Sequence, residues 1–241
     1  MPLTATLQRL ILLTVAASTA ACIGAQHPIR EPAGPGPVAI VASAAIPGAI
    51  TDIARHSWFA VRGEGEEQWE RWEVFQFTIR PRQRPNGGWD YLHRRIHDPL
   101  DDVGAGYVQI HGVLRGAEAS RFIACLRRES PDYEHRANYV VWPGPNSNTY
   151  VDVMMRRCEF PAELPTTAIG KDYRGIVGAS VTRGGTGVQV DSPLVGLAMG
   201  LTEELELHLL SLTVGIDWWR PALKVPADDG RLGCPATVRE P

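Results

Sequence analysis

Several segments of the chain alternate between hydrophobic and polar positions in the manner of half-buried β-strands. The clearest are residues 72–79 and 204–209, and the last alternates strictly, which is typical of a strand with one face in water. The apolar residues 58–61 are also predicted to form a strand. Further apolar runs of strand-like composition lie at residues 106–114, 138–142, 212–218 and 222–225. The pattern predicts that most of the regular structure is β-sheet.

Two segments have helical spacing instead. Apolar side chains recur every three or four residues over 117–128, which predicts an amphipathic helix. A second helix is predicted to begin near Asn146 and to end at about residue 157. Because the chain also contains 24 glycines and 19 prolines, short elements and many turns are expected. We expect an α+β fold in which an antiparallel sheet carries a few helices on one side.

The N-terminus has the three parts of an export signal. Arg9 precedes an apolar run at residues 10–17, and small residues follow immediately before Cys22. The position of Cys22 after two alanines resembles the box at which bacterial lipoproteins are lipidated, although Thr19 departs from that box. The alternative is ordinary cleavage after Ala20 or Ala21, which would release a soluble periplasmic protein.

These features predict a signal peptide at residues 1–21, a tether rich in Pro, Gly and Ala at 22–50, and a single α+β domain at 51–241. The expected location is the cell envelope, with the protein attached to a membrane through a lipidated Cys22. The chain has 24 basic and 27 acidic residues, and this balance indicates no nucleic-acid partner. An envelope polymer or another envelope protein is the expected partner.

The cysteines and histidines do not have the spacing of a metal site, so no metal and no cofactor are predicted. His93 and His97 are four residues apart, but Pro99 interrupts a helix there. An oxidising compartment permits one disulfide among the three cysteines beyond Cys22 and leaves one thiol over, without indicating which pair forms. Cys125 lies within the first predicted helix, where we interpret it as a small, buried apolar residue.

Residues 142–150 are the most unusual segment, because two prolines and a glycine end a strand and four small polar residues begin a helix. In one interpretation, Asn146, Asn148 and Thr149 only cap the helix. In the other, they line a binding site, and Ser147 lies where the free N–H groups and the helix dipole stabilise a nucleophile or an oxyanion. The sequence leaves both interpretations open.

This segment, Pro-Gly-Pro-Asn-Ser-Asn-Thr followed by an aromatic residue, resembles the signature of an uncharacterised bacterial envelope family of unknown function. The similarity extends to residues 164–165, 168–173, 215–217 and 224–226, and it covers roughly residues 50–235. It implies an envelope location and a shared fold, but it implies no activity.

The order of motifs also resembles that of circularly permuted papain-like (NlpC-type) hydrolases. These enzymes have a histidine on an early strand, then a polar orienting residue, then a cysteine at a helix start. The corresponding residues here are His56, Glu73 and Ser147, with serine in place of cysteine. The resemblance implies that Ser147 is the nucleophile, His56 the base and Glu73 the orienting group. His111 is an alternative basic or orienting residue.

Two functions remain open. The favoured one is a non-catalytic binding or structural module of the envelope. The alternative is a Ser-His hydrolase or acyltransferase that acts on an envelope amide or ester. A serine hydroxyl is barely ionised near neutral pH, so this alternative requires a hydrogen bond from Ser147 to a histidine base.

Overall fold

The computed structural model describes residues 34–48, 50–76, 81–85, 88–96, 98–101, 108–201, 204–227 and 230–234. The predicted signal peptide, Cys22 and the first part of the predicted tether, up to residue 33, lie outside the described residues, as does His97. No helix of the described chain is both long enough and apolar enough to cross a membrane.

The first sheet contains five antiparallel strands in the order β6-β3-β2-β1-β7. Its strands are β1 (Val38–Ala45), β2 (Arg55–Arg62), β3 (Glu70–Val74), β6 (Leu92–Ile96) and β7 (Val108–Arg115). Two further strands of two residues each, β4 (Arg82–Gln83) and β5 (Trp89–Asp90), pair with each other beside it.

Both predicted helices are present, α1 (Gly116–Glu129) and α2 (Ser147–Arg157), with a short 3-10 turn at Ser130–Asp132. They pack on one face of the first sheet, where Phe59 of β2 shares a core with residues of both helices, including Phe122 and Tyr150. Side chains of alternate strand positions, such as Trp58, form a second, smaller core on the opposite face.

The second sheet is a meander of seven antiparallel strands whose order in space follows the chain. Its strands are β8 (Gly178–Val181), β9 (Gly187–Asp191), β10 (Val195–Gly200), β11 (Glu204–Leu209), β12 (Leu212–Asp217), β13 (Ala222–Lys224) and β14 (Arg231–Gly233). β11 is therefore the middle strand.

The α+β class and the antiparallel pairing are confirmed, but the sheet content is larger than expected and is divided between two main sheets. The tether prediction was wrong for residues 38–45, which form β1 and are buried between β2 and β7. This stretch contains neither Pro nor Gly, and its small side chains suit a central strand. The predicted strand at 138–142 is also wrong. The N–H of Val140 bonds to the carbonyl of Pro145, which closes the segment into a loop.

The strand predicted at residues 204–209 is confirmed, but its orientation is the reverse of the expected one. Leu205, Leu207 and Leu209 are 39–45% exposed, whereas Glu206 and His208 are at most 5% exposed. The buried face of β11 packs against charged side chains rather than an apolar core. Its polar side chains therefore point inward and its leucines point outward.

A disulfide joins Cys125 of α1 to Cys158, the residue that follows α2, with 5.6 Å between their Cα atoms. The interpretation of Cys125 as a buried apolar residue was therefore wrong. The two half-cystines are 33 residues apart in sequence. Their pairing depends on how α1 packs beside α2, which the sequence alone did not show.

Candidate functional site

The polar segment at the start of α2 forms a complete helix cap. The side-chain oxygen of Asn146 accepts hydrogen bonds from the backbone N–H groups of Asn148, at 2.9 Å, and Thr149, at 3.3 Å. The hydroxyl of Thr149 accepts in return from the N–H of Asn146, at 3.1 Å. This reciprocal arrangement satisfies the N–H groups that a helix start otherwise leaves without partners.

The Asn146 side chain also holds two loops together. Its amide nitrogen donates to the carbonyl of Val141, at 2.9 Å, and to that of Ile169, at 3.0 Å. All four hydrogen-bonding positions of this buried amide are thus used within the chain, so Asn146 has no capacity left to bind a ligand.

Asn148 and Thr149 extend the same connections. The Asn148 amide nitrogen donates to the carbonyls of Arg55, at 2.8 Å, and Ile169, at 2.8 Å. The Thr149 hydroxyl donates to the carbonyl of Gly170, at 2.7 Å. These bonds attach the first turn of α2 to the start of β2 and to the loop at 169–170.

Asn146→Ala is expected to lower the free energy of unfolding by about 2–3 kcal/mol, because it removes a cap and leaves buried backbone groups without partners. Urea denaturation of the purified protein measures this change. Asn138→Ala is a matched control, since Asn138 is exposed, and it should change stability by less than ~0.5 kcal/mol. Equal losses in the two variants would contradict the structural role of the Asn146 side chain.

Ser147 is the first residue of α2, where the sequence predicted it. It is 4% exposed, and its hydroxyl makes no hydrogen bond within the part of the chain that the structure describes. The backbone N–H groups of Asn148 and Thr149 beside it already donate to Asn146, and activation of the hydroxyl requires a base within hydrogen-bonding distance.

The predicted base and orienting residue do lie together. His56 Nε2 is 2.8 Å from Glu73 Oε2, and both side chains are buried. Burial lowers the pKa of His56 despite the neighbouring carboxylate. Burial alone would raise the pKa of Glu73, but the hydrogen bonds from His56 and Arg95 and the charge of Arg71 outweigh it and hold that pKa well below its usual range.

This pair lies on the face of the first sheet that α2 does not cover. The His56 ring stacks on Trp58, with 5.8 Å between ring centroids, and Trp58 belongs to the smaller core. Phe59, which contacts the helices, points to the other face, because successive side chains of a strand alternate. Within the described residues, no hydrogen bond joins Ser147 to His56, so the structure does not bring the three predicted catalytic residues together.

Ser57 occupies the helix-facing position next to His56, and its buried hydroxyl has no hydrogen-bond partner among the described residues. Ser57 was not among the predicted site residues. The period of two along β2 was the available signal, since it places Ser57 with Phe59 and His56 with Trp58.

His111, the alternative residue, contacts a different serine. Its Nε2 is 2.7 Å from the hydroxyl of Ser43, which also accepts a hydrogen bond from Arg55 at 2.9 Å. Burial and the charge of Arg55 lower the pKa of His111 to about 3. Such a weakly basic imidazole is a poor general base, and Ser43 is fully buried in a central strand, where no substrate can reach it.

The inner face of the second sheet carries a buried ionic network. The chain contains only two lysines, and both are in this network. Lys224 Nζ contacts the carboxylates of Glu163, Glu204 and Glu206, the last at 2.6 Å. Lys171 Nζ lies 2.7 Å from Asp172.

Two groups of side chains in this network have the spacing of cation ligands. One contains Glu163, Glu204 and Glu206, and the other contains Asp172, Glu206 and His208. In the first group, the ammonium of Lys224 already contacts all three carboxylates. In the second, the Lys171 ammonium contacts Asp172. The positive charges that these carboxylates need are therefore supplied by lysines.

His208 lies between carboxylates of this network. Its Nδ1 is 2.5 Å from Asp191 and its Nε2 is 3.1 Å from Glu206, with Asp172 at 3.8 Å. Burial alone would lower the pKa of His208, but these carboxylates outweigh it and raise the pKa to about 9. His208 is accordingly protonated at pH 7.

The raised pKa predicts that stability falls with increasing pH. The protonated His208 stabilises the folded state fully below pH ~6.5, and this contribution is lost as pH rises through about 9, amounting to roughly 2–3 kcal/mol. Urea denaturation at pH 6, 7.5 and 9 measures it. His208→Gln should remove most of the decline in stability between pH 6.5 and 9. If the variant declines as much as the wild type, another titrating group causes the decline.

Comparison with known families gives one match. Residues 38–173, more than half of the chain, match a family described as "Protein of unknown function (DUF3750)". The matched region contains the first sheet, both helices and the capped start of α2, and it ends before β8. No curated protein and no solved structure matches the chain.

Proposed function

The chain belongs to the DUF3750 family of proteins of unknown function, and we propose that it is a non-catalytic module of the bacterial cell envelope, held at a membrane by a lipidated Cys22. In this proposal the protein acts by binding, and its partner is an envelope protein or polymer. A layout shared with permuted papain-like enzymes is part of the proposal.

The observation that carries the non-catalytic assignment is the orientation of His56. A serine hydrolase needs its base hydrogen-bonded to the nucleophile. Here the imidazole is bound to Glu73 on one face of the sheet, and α2 packs on the other. Neighbouring side chains have structural roles as well, because the amide nitrogens of Asn146 and Asn148 and the hydroxyl of Thr149 donate to backbone carbonyls of nearby segments.

Two features support an exported protein. The N-terminal sequence has the parts of a signal peptide with a cysteine at its end. Disulfides persist mainly in oxidising compartments, and Cys125 is bonded to Cys158.

The second candidate function is a hydrolase that uses Ser147. One observation favours it: the Ser147 hydroxyl lies at the N-terminus of α2 and has no partner in the described part of the chain. In that case a base other than His56 would have to come within reach of the hydroxyl, for example when a substrate binds.

Labelling with a fluorophosphonate probe distinguishes the two candidates. We expect the purified wild-type protein to show no more labelling than Ser147→Ala, and both to show the same labelling after heat denaturation. Ser147→Ala should also leave the urea midpoint unchanged, since the hydroxyl makes no hydrogen bond to any described residue. Labelling of the folded wild type that disappears in Ser147→Ala would overturn the non-catalytic proposal.

Metabolic labelling with an alkyne analogue of palmitate tests the anchor. We expect the wild type to incorporate the label and to sediment with membranes, and Cys22→Ala to lose both properties. Cys125→Ser is the control that should keep the label. Release of the unlabelled wild type by osmotic shock would instead indicate a soluble periplasmic protein.

A further inference from the structure

The outer face of the second sheet is apolar from one edge strand to the other. The register aligns one residue from each of the seven strands in a single row across the sheet. This row consists of Val181, Val188, Met199, Leu205, Ile216, Leu223 and Leu232, which are 39–63% exposed.

The remaining outward positions continue the same chemistry. They are Ala179, Val190, Val195, Leu197, Leu207, Leu209, Leu212 and Val214. None of the outward positions in the seven strands is polar or charged. We call this surface the apolar face.

The inner face of the same sheet cannot serve as its hydrophobic core. It presents ionic and polar side chains, among them Gln189, Glu206, His208 and Lys224, to the rest of the domain. Antiparallel sheets ordinarily cover their apolar side and leave the polar side in water. Here the polar side is covered, so this sheet keeps all its outward aliphatic side chains in contact with solvent unless a partner covers them.

The apolar face is large enough to be an interaction surface. Seven strands at about 4.8 Å spacing and five residues at about 3.4 Å each give roughly 500 Å² in projection. Contiguous apolar patches of this size on a monomer are commonly functional. Two such faces in contact would bury about 1,000 Å² or more, which reaches the size of specific interfaces.

We propose that two copies of this chain pack their apolar faces against each other about a two-fold axis near Leu207. An uncharged aliphatic face offers no charge pattern for a different, charged partner, but it matches an identical face. Two sheets with aliphatic inner faces pack about 10 Å apart, as in a β-sandwich. The proposal does not depend on lipidation of Cys22 or on the absence of catalysis.

Sheet twist favours a second copy over a lipid surface. Neighbouring strands rotate by about 20–25°, so the direction of the strands changes by more than about 100° across seven strands. A flat bilayer cannot follow such a surface along its whole width. A second sheet with the same twist can, and this is how aligned sheets pack.

Cross-linking in the envelope of intact cells tests the arrangement. Leu207 lies on the middle strand, so in a two-fold dimer the residue faces its own copy. We expect Leu207→Cys in the full chain to give a product of twice the chain mass with a bismaleimide that spans about 10 Å. Arg121→Cys, an exposed position on α1, is the matched control, and it and the wild type should give no such product.

The mass of the detergent-extracted full chain gives a second readout. Analytical ultracentrifugation should give twice the protein mass for the wild type and for Arg121→Glu, and one protein mass for Leu207→Glu. If circular dichroism shows that Leu207→Glu does not fold, the cross-linking of the conservative variant Leu207→Cys tests the proposal by itself.

Three outcomes would overturn the proposal. The first is equal cross-linking of Leu207→Cys and Arg121→Cys, which indicates random collision. The second is a conjugate of Leu207→Cys with a different protein. The third is a monomeric wild type together with reaction of the Leu207→Cys variant with a membrane-embedded maleimide, which indicates that lipid covers the apolar face.

Discussion

Lys224→Met is expected to lower the free energy of unfolding by about 4 kcal/mol at pH 7. The Lys224 side chain is fully buried, and its ammonium contacts three carboxylates. Burial alone would lower the pKa of Lys224, but Glu163, Glu206 and Glu204 outweigh it and raise that pKa, so the lysine is charged. Removing one partner of a buried ionic group leaves the others uncompensated, which typically costs about 3–5 kcal/mol.

The loss should shrink on acidification. Without the ammonium, the carboxylates take up protons at a higher pH than in the unfolded chain, so the variant gains stability as pH falls. Glu204 already shows this tendency, since burial and its two acidic neighbours raise its pKa to about 7. Urea denaturation at pH 5 and pH 7 measures the difference.

Two further variants make the Lys224 test specific. Adding Glu206→Gln to Lys224→Met should recover about 1–2 kcal/mol, because it removes one uncompensated charge. Arg121→Met, on the exposed surface of α1, should change stability by less than ~0.5 kcal/mol. A Lys224→Met loss that is small and independent of pH would show that the network contributes little to folding.

Replacing both Cys125 and Cys158 by serine is expected to lower the free energy of unfolding by about 3–4 kcal/mol. The disulfide closes a loop between residues 33 apart, and a loop of this length restricts the unfolded chain by an amount of that order. Chemical denaturation of the oxidised wild type and of the double variant measures the effect.

The redox state provides the control for the disulfide. The reduced wild type should resemble the double variant, and wild-type protein produced in a reducing cytoplasm should be less stable than exported protein. If the oxidised wild type and the double variant unfold at the same denaturant concentration, the disulfide does not stabilise the domain.

Much of the secondary structure could be predicted because it depends on local patterns. The helix at Gly116–Glu129 follows from apolar spacing, and the start of α2 follows from the cap residues at Asn146 and beyond. Strand β1 was missed, because its run of alanine and valine does not alternate and both of its faces are buried.

The candidate site could be predicted only in part. His56 and Glu73 were expected to act together, and their side chains do share a hydrogen bond. Their relation to Ser147 depends on which face of β2 each residue takes and on which face α2 covers. The period of two along β2 predicts which residues share a face. Which of the two faces α2 covers depends on tertiary packing, and no local sequence pattern indicates it.

Patterns among neighbouring residues were enough to predict an export signal, antiparallel strands with a few helices, and a capped helix at Ser147. The orientation of β11, with its leucines outward and its charges inward, depended on tertiary packing. An alternating strand fits either orientation, and the choice rests on what packs against it. Here Glu206 contacts Lys224 of β13 and His208 contacts Asp191 of β9, so these pairs meet only when the second sheet forms.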